Sequence, residues 1–313
     1  MSNNKNEMSE EEYLKRHLTE MDQGKNQFSD IPFQNAEPVI EQRVDDLHFF
    51  SFDVKELPCG KFYPSGTLLQ VRAAQVKEIQ AYSMVDDNNF YDIVEKMNSM
   101  LQSCIRVKYS DGRVGSYLEI RDQDRLYLIF LIRELTFQQG NSLSVKTNCK
   151  ACNTETQIEI KRSTFVYYDV DEKLEKFYSP STNSFHFRLK NGKEFEVTPP
   201  NIGLQKSFTD YIIKENQEKR TPNLSFLKII PFMLPGRTSI TYDGIKSKLR
   251  EFEDMDDISF QFLNSAIGKM TFGVKELKYD CSCGEEVRTD MQFPNGASGI
   301  FVIHDAFEAY IKE

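Results

Sequence analysis

Two cysteine pairs constrain this chain more than any other feature. Cys149-Lys-Ala-Cys152 and Cys281-Ser-Cys283 each fall at a predicted turn between short strands, with Val145–Thr147 and Gln157–Ile160 flanking the first pair. Zinc prefers four soft ligands in a tetrahedron, and structural sites leave no position open. The two pairs together supply four sulfurs, so Cys149, Cys152, Cys281 and Cys283 are the expected ligands of one structural Zn2+. A lone C-x-x-C is a common spacing, and C-x-C is one residue shorter than the usual knuckle. It is their equivalent placement that singles these four out. Closing the intervening loop costs roughly 4 kcal/mol, against an apparent 10–16 kcal/mol, roughly, from a structural zinc. Knuckles that no longer hold metal, and unrelated buried thiols, are the alternatives. A four-thiolate zinc is closed to substrate, so it predicts architecture and not catalysis. Its formal charge is −2, and nearby cations such as Lys146, Lys150 and Arg288 are candidates to screen it. Cys59 and Cys104 have no paired spacing; Cys104 falls on the apolar face of its predicted helix, where a thiol packs as a small hydrophobe.

The surroundings of the two pairs repeat. Ile132-Arg-Glu-Leu-Thr-Phe leads through Leu143-Ser-Val-Lys-Thr-Asn to Cys149, and Ile267-Gly-Lys-Met-Thr-Phe leads through Leu277-Lys-Tyr-Asp to Cys281. Each reads as a helix ending in Thr-Phe, a strand, a cysteine pair and a return strand. A diverged internal duplication explains this, with chance agreement of loose patterns as the alternative. The expected fold is α+β: two diverged repeats of a hairpin–helices–zinc-knuckle plan, the knuckles meeting as a zinc-ribbon-like element, preceded by an N-terminal arm. The corresponding boundaries are an arm at 1–50, a first repeat at 51–165 and a second at 166–313.

Within this frame, Phe52–Glu56 and Thr67–Arg72 read as strands joined through a Pro58-Cys-Gly-Lys turn, and residues 75–84 and 90–104 as helices. Asp122–Leu135 is apolar almost all round, which places it in the core. Phe185–Leu189 and Glu194–Thr198 flank Asn191-Gly192 as a hairpin. Helices follow at 203–218 and 223–233, then a linker holding Asp243-Gly244, then a helix near 256–271.

Charge is uneven. The first 50 residues hold five Lys/Arg and eleven Asp/Glu, which accounts for most of the net charge of −9. Ser9 and Glu12 have capping-box spacing, and Tyr13, Leu14, His17, Leu18 and Met21 then share one helical face. A helix this short is marginal alone, so the arm reads either as a solvated tail or as a partner-binding segment. The longest apolar run, Leu126–Ile132, is far short of the roughly 20 residues that span a bilayer. Met1-Ser-Asn-Asn-Lys-Asn-Glu has no apolar signal segment, so a reducing cytosol is expected and the cysteines read as thiols or ligands.

Enzyme signatures are missing from the sequence. There is no Walker A or dinucleotide glycine fingerprint, and Gly296-Ala-Ser-Gly299 lacks the spacing of a nucleophile elbow. His17, His48, His186 and His304 are scattered; His186, between Phe185 and Phe187, reads as an exposed-face strand residue. Asp86-Asp87 and Asp256-Asp257 read as helix caps. No catalytic residue is assigned and a non-enzymatic role is expected. A zinc-ribbon nucleic-acid binder would carry basic residues around the knuckles, whereas Glu155, Glu159, Asp280, Glu285 and Glu286 crowd them. The class left is a structural or assembly protein acting through surfaces.

Leu57-Pro-Cys-Gly-Lys-Phe-Tyr-Pro-Ser-Gly, with Leu69-Gln-Val-Arg after it, resembles the opening of the bacteriophage T4-type baseplate protein family. So does Asp124-Arg-Leu-Tyr-Leu-Ile-Phe-Leu-Ile-Arg133, running through Thr136-Phe137 to Cys149-x-x-Cys152. The resemblance covers 51–165 well and 185–303 loosely. It departs at Cys59, where a small polar residue is expected, and at Gln138-Gln139-Gly140, which widens the segment after the helix. It implies a subunit of the baseplate hub of a contractile tail, or an assembly chaperone of that hub absent from the mature virion. The implied partners are other tail and hub proteins, and the implied locations are the host cytoplasm during assembly and the virion baseplate. Arg125 and Arg133, eight apart on one helical face, are expected to pair with Asp122, Asp124 or Glu134, with a partner's carboxylate as the alternative.

Overall fold

In the computed structural model, residues 48–137, 143–168, 171–291, 293 and 296–301 are described. The arm helix expected after Ser9, the Gln138-Gln139-Gly140 departure and His304 lie outside them. The chain opens with β1 (Phe50–Asp53), antiparallel to β2 (Leu68–Val71). The expected strand over Phe52–Glu56 stops early because the Asp53 carboxylate accepts the Lys55 N–H at 2.9 Å and starts a 3-10 turn over Val54–Glu56. A second such turn, Gly60–Phe62, packs on the first. A Cβ at Gly60 would stand 2.4 Å from the Val54 carbonyl oxygen, so only glycine lets these turns close.

Helices α1 (Val76–Ser83) and α2 (Phe90–Cys104) follow, the latter capped by Asn89. Next come β3 (Ile105–Lys108) and β4 (Val114–Gly115), which complete a sheet of order β1-β2-β3-β4. The helical period masks β3 in the sequence, since it continues α2 without a break. Helix α3 (Arg125–Thr136) is the core element expected from its apolar run, with Leu128, Ile129, Phe130 and Ile132 fully buried.

The first cysteine hairpin is β5 (Ser144–Asn148) with β6 (Glu155–Glu159). A 3-10 turn at Arg162–Thr164 then leads into β7 (Phe165–Tyr167). After the one-turn helix α4 (Glu172–Glu175), β8 (Tyr178–Ser179), β9 (Ser184–Arg188) and β10 (Glu194–Val197) form the sheet β10-β9-β8. Helices α5 (Ile202–Gln217) and α6 (Leu224–Ile229) fall where expected. The expected linker around Asp243-Gly244 is instead helix α7 (Tyr242–Glu253). Thr241 caps it through the Gly244 N–H at 3.2 Å, and Asp243 sits in its first turn, so the apparent turn dipeptide is a helix start. Helix α8 (Asp257–Gly268), capped by Asp256, precedes β11 (Val274–Asp280) and β12 (Glu286–Asp290).

The architecture is mixed α and β, and a cysteine hairpin follows the helices in each half of the chain. One hydrophobic core serves both. Phe62 from the first half packs against Phe272, Phe185 and Tyr178 of the second at centroid distances of 5.0, 5.6 and 5.8 Å. In return, Phe301 meets Tyr82 at 4.9 Å, and the Ile300 carbonyl accepts from Arg133 Nε at 2.7 Å. The expected repeat boundary at 165/166 falls inside β7, which pairs with β11.

Candidate metal centre

The two hairpins meet for a topological reason. Only five residues separate β6 from β7, and β7 is hydrogen-bonded along β11. The strand that leaves the first cysteine hairpin is thus stitched to the strand that enters the second, and β6 comes close to β11. Cys149 and Cys281, at the ends of β5 and β11, are buried together with Val287 and lie against Tyr279, in a small cluster apart from the main core. Cys152 and Cys283 are exposed.

Each knuckle is a tight turn. In the first, the Cys149 N–H donates to the Thr154 carbonyl at 3.0 Å and the Asn153 N–H to the Cys149 carbonyl at 2.8 Å. Asn153 takes φ 56°, which asparagine tolerates better than most residues. In the second, the Cys281 N–H donates to the Glu285 carbonyl at 2.9 Å and the Gly284 N–H to the Cys281 carbonyl at 2.8 Å, with Gly284 at φ 87°.

All four sulfurs lie within 4.8 Å of one another. Cys149 Sγ stands 3.7 Å from Cys283 Sγ, and Cys152 Sγ stands 3.6 Å from Cys281 Sγ. These distances are far beyond a disulfide bond, and all four cysteines are free. A regular tetrahedron of thiolates with Zn–S near 2.3 Å has edges of about 3.8 Å. The donor set and its spacing therefore fit a metal ion that favours four sulfurs, and the sequence-predicted residues are the ones the fold gathers.

The local field favours ionised sulfur at two positions. The Thr154 hydroxyl, 3.2 Å from Cys152 Sγ, and then the Thr154 backbone N–H draw the Cys152 thiol down to about 6. The backbone N–H of Cys283 lowers the Cys281 thiol. At Cys283 the Glu285 N–H also pulls downward, but the neighbouring Cys281 and Cys152 sulfurs outweigh it and lift this thiol to about 12. Four thiolates this close repel one another, and a divalent cation at their centre removes the conflict.

Two of the three cations expected to screen the site are paired with carboxylates. Lys146 pairs with Glu155 at 3.4 Å, and Arg288 with Glu286 and Glu276 at 2.8 and 2.9 Å, which bind the strands of each hairpin together. Lys150 lines a cleft of about 500 Å3 between the knuckles with Glu285 and Glu286. Backbone amides of the tight turns, together with Thr154, which the cysteine spacing does not reveal, supply the polarity at the sulfurs; the amides are what such turns are expected to offer.

The remaining sequence candidates have structural places. Arg125 pairs with Asp122 and donates to Asn98 Oδ1 at 3.1 Å, while Glu134 binds Arg162 at 2.7 Å. Asp87 accepts from the Ser298 N–H at 3.0 Å, and Asp256 caps Ser259 at 2.9 Å. His186 is on the exposed side of β9, with Nε2 2.7 Å from the Thr182 hydroxyl. Cys59 and Cys104 are both buried away from the cluster. Asp124 is the residue that sequence reasoning undervalued. It is fully buried and accepts the Cys59 N–H and the Tyr63 hydroxyl, both at 2.8 Å.

Comparison of the chain with family models, with curated proteins and with solved structures finds no match. Among the described residues, no helix is long and apolar enough to cross a membrane.

Proposed function

We propose that this chain is a non-enzymatic structural or assembly protein of the baseplate hub of a contractile phage tail, its two cysteine hairpins tied by one structural zinc. The observation that carries the architectural half is the four-sulfur cluster, whose ligands come from both halves of the chain and leave no position for a substrate. The baseplate half rests on the ordered motifs Leu57–Gly66 and Asp124–Arg133. These motifs touch in space, since Cys59 and Tyr63 of the first both donate to Asp124 of the second. In this reading the halves are diverged copies, the knuckles form a zinc-ribbon-like element, and the partners are other hub and tail proteins met in the host cytoplasm.

Affinity capture of the tagged chain from infected cells tests the reading, with mass spectrometry of purified virions alongside. Recovery with hub proteins, and presence in virions, is the outcome for a permanent subunit. Recovery with assembly intermediates alone marks a chaperone. Recovery without tail proteins, together with a salt-sensitive shift of a DNA or RNA probe, overturns the proposal in favour of nucleic-acid binding.

A further inference from the structure

The four sulfurs are not equivalent, and their arrangement points to a second chemistry. Cys152 and Cys283 are exposed, one on each knuckle, while Cys149 and Cys281 are buried. Two close contacts run between the hairpins. Exposed Cys152 faces buried Cys281 of the other hairpin at 3.6 Å, and exposed Cys283 faces buried Cys149 at 3.7 Å. We propose that the centre is a peroxide-responsive thiol switch in which oxidation replaces the metal tie between the hairpins with two cross-hairpin disulfides, Cys152–Cys281 and Cys149–Cys283. This rests on the metal-centre reading given above.

The chemistry balances with hydrogen peroxide as oxidant. The Cys152 thiolate attacks one peroxide oxygen, the O–O bond breaks, and the departing hydroxide takes a proton to become water. The sulfenic acid so formed is attacked by the Cys281 thiolate. Its S–O bond breaks, the S–S bond forms, and the second hydroxide leaves as water after taking another proton. Two thiolates, one hydrogen peroxide and two protons thus give one disulfide and two waters. Cys283 and Cys149 repeat the sequence with a second equivalent, and loss of the thiolate ligands releases the cation.

Exposure and the two cross-hairpin contacts favour this connectivity. A solvent-borne peroxide meets Cys152 and Cys283 first, and the sulfur opposite each belongs to the other hairpin. A disulfide within Cys281-Ser-Cys283 closes a very small ring, and departures from relaxed disulfide geometry store strain. Antiparallel pairing of β7 with β11 holds the two hairpins in place while the bonds form. The consequence is directional: oxidation preserves the tie between the halves. A protein that left a reducing compartment would keep its architecture by exchanging metal for covalent bonds.

The test uses the full, reduced chain with its metal content measured first. After one and two equivalents of hydrogen peroxide, free thiols are alkylated and the unreduced protein is digested and mapped by mass spectrometry. Metal release is followed with a chromogenic chelator. The expected result is that peptides joining Cys152 to Cys281 and Cys149 to Cys283 exceed the pair within Cys281–Cys283 by about tenfold or more, because that ring is strained, and also exceed the pair within Cys149–Cys152. Metal loss should track them, and a dithiol should reverse both. Disulfides within Cys149–Cys152 or Cys281–Cys283, or sulfinic and sulfonic acids without disulfide, overturn the proposal. Protein that contains no metal at the outset counts against the metal reading alone, since the disulfide connectivity is mapped in the same way.

Discussion

The backbone N–H of Cys59 donates to Asp124 Oδ1 at 2.8 Å, joining residues 65 apart in sequence inside a site with no solvent exposure. Tyr63 donates to the other carboxylate oxygen, and the Arg121 N–H donates in turn to the Tyr63 hydroxyl at 2.8 Å. The Pro58–Gly66 loop is thereby locked to the start of helix α3.

This lock is pH-dependent. Burial raises the Asp124 carboxyl from 3.8 to about 7, despite the hydrogen bonds from Cys59 and Tyr63 that pull it down. The folded chain thus holds this proton over a range where the unfolded chain has lost it. The contribution is fully present below about pH 4 and is lost as pH rises through 7, with a slope of up to about 1.4 kcal/mol per pH unit. Denaturant melts of the wild type and Asp124→Asn between pH 4.5 and 8 check this. The variant should lack that downward slope; parallel curves would refute it.

Metal removal should loosen the cysteine hairpins and spare the core. The cluster of Cys149, Cys281 and Val287 is separate from the main hydrophobic core, and β7 pairs with β11 through backbone hydrogen bonds that involve none of the four sulfurs. At free zinc about a thousandfold above Kd, linkage is worth about 4 kcal/mol. Elemental analysis should find about one zinc per chain by the four-ligand rule. Replacing Cys149 and Cys281 together with Ser should abolish it and lower Tm, while helical circular dichroism stays. Hydrogen exchange should rise chiefly over 144–159 and 274–290. An unchanged Tm would mean the site is not structural.

Phe62→Ala should be among the most damaging single changes. Its ring is fully buried and packs against Tyr178, Phe185 and Phe272, so truncation opens a cavity shared by both halves. The expected loss is about 3–5 kcal/mol, measured by urea unfolding. A loss near zero would show that the halves do not share this packing.

Lys61, the next residue back, should contribute less. Its ammonium lies 5.0–5.9 Å from the centroids of Tyr178, Phe185, Phe62 and Phe272, and it pairs with Glu175. Partly exposed cation–π contacts are worth about 0.5–1 kcal/mol, rising toward 2 when desolvated. Lys61→Met should therefore cost about 1 kcal/mol, with Lys61→Arg closer to wild type. Equal losses for both variants would argue for shape over charge.

Gly60→Ala should prevent the two 3-10 turns from closing, because its Cβ meets backbone at 2.4 Å. A cost above about 2 kcal/mol is expected where a backbone position cannot relax. Thermal unfolding reads it directly, and a neutral result would mean that the loop shifts to accommodate the methyl.

Residues with strong local signals were legible. The apolar run of α3, the Asn191-Gly192 hairpin and the two strand-flanked cysteine pairs each encode their conformation within a few residues. Where two local signals competed, the reading failed. Asp243-Gly244 carries turn residues, yet Thr241 ahead of them caps a helix. Strand β3 follows α2 without punctuation, and β7 and β8 are too short to show a period.

What the sequence determined by itself was which residues could bind a metal: four cysteines in two knuckles, with the chemistry set by sulfur and the turns set by Cys-x-x-Cys and Cys-x-Cys-Gly. Only the tertiary structure decided that these knuckles meet. The three-residue strand β7 pairs with β11 and carries the first hairpin to the second, an event between residues more than 100 apart that no local pattern encodes. The same holds for Asp124. Its carboxylate looks like any helix-flanking acid in the sequence, and becomes a buried, proton-holding anchor only when the Cys59–Tyr63 loop folds over it and excludes water.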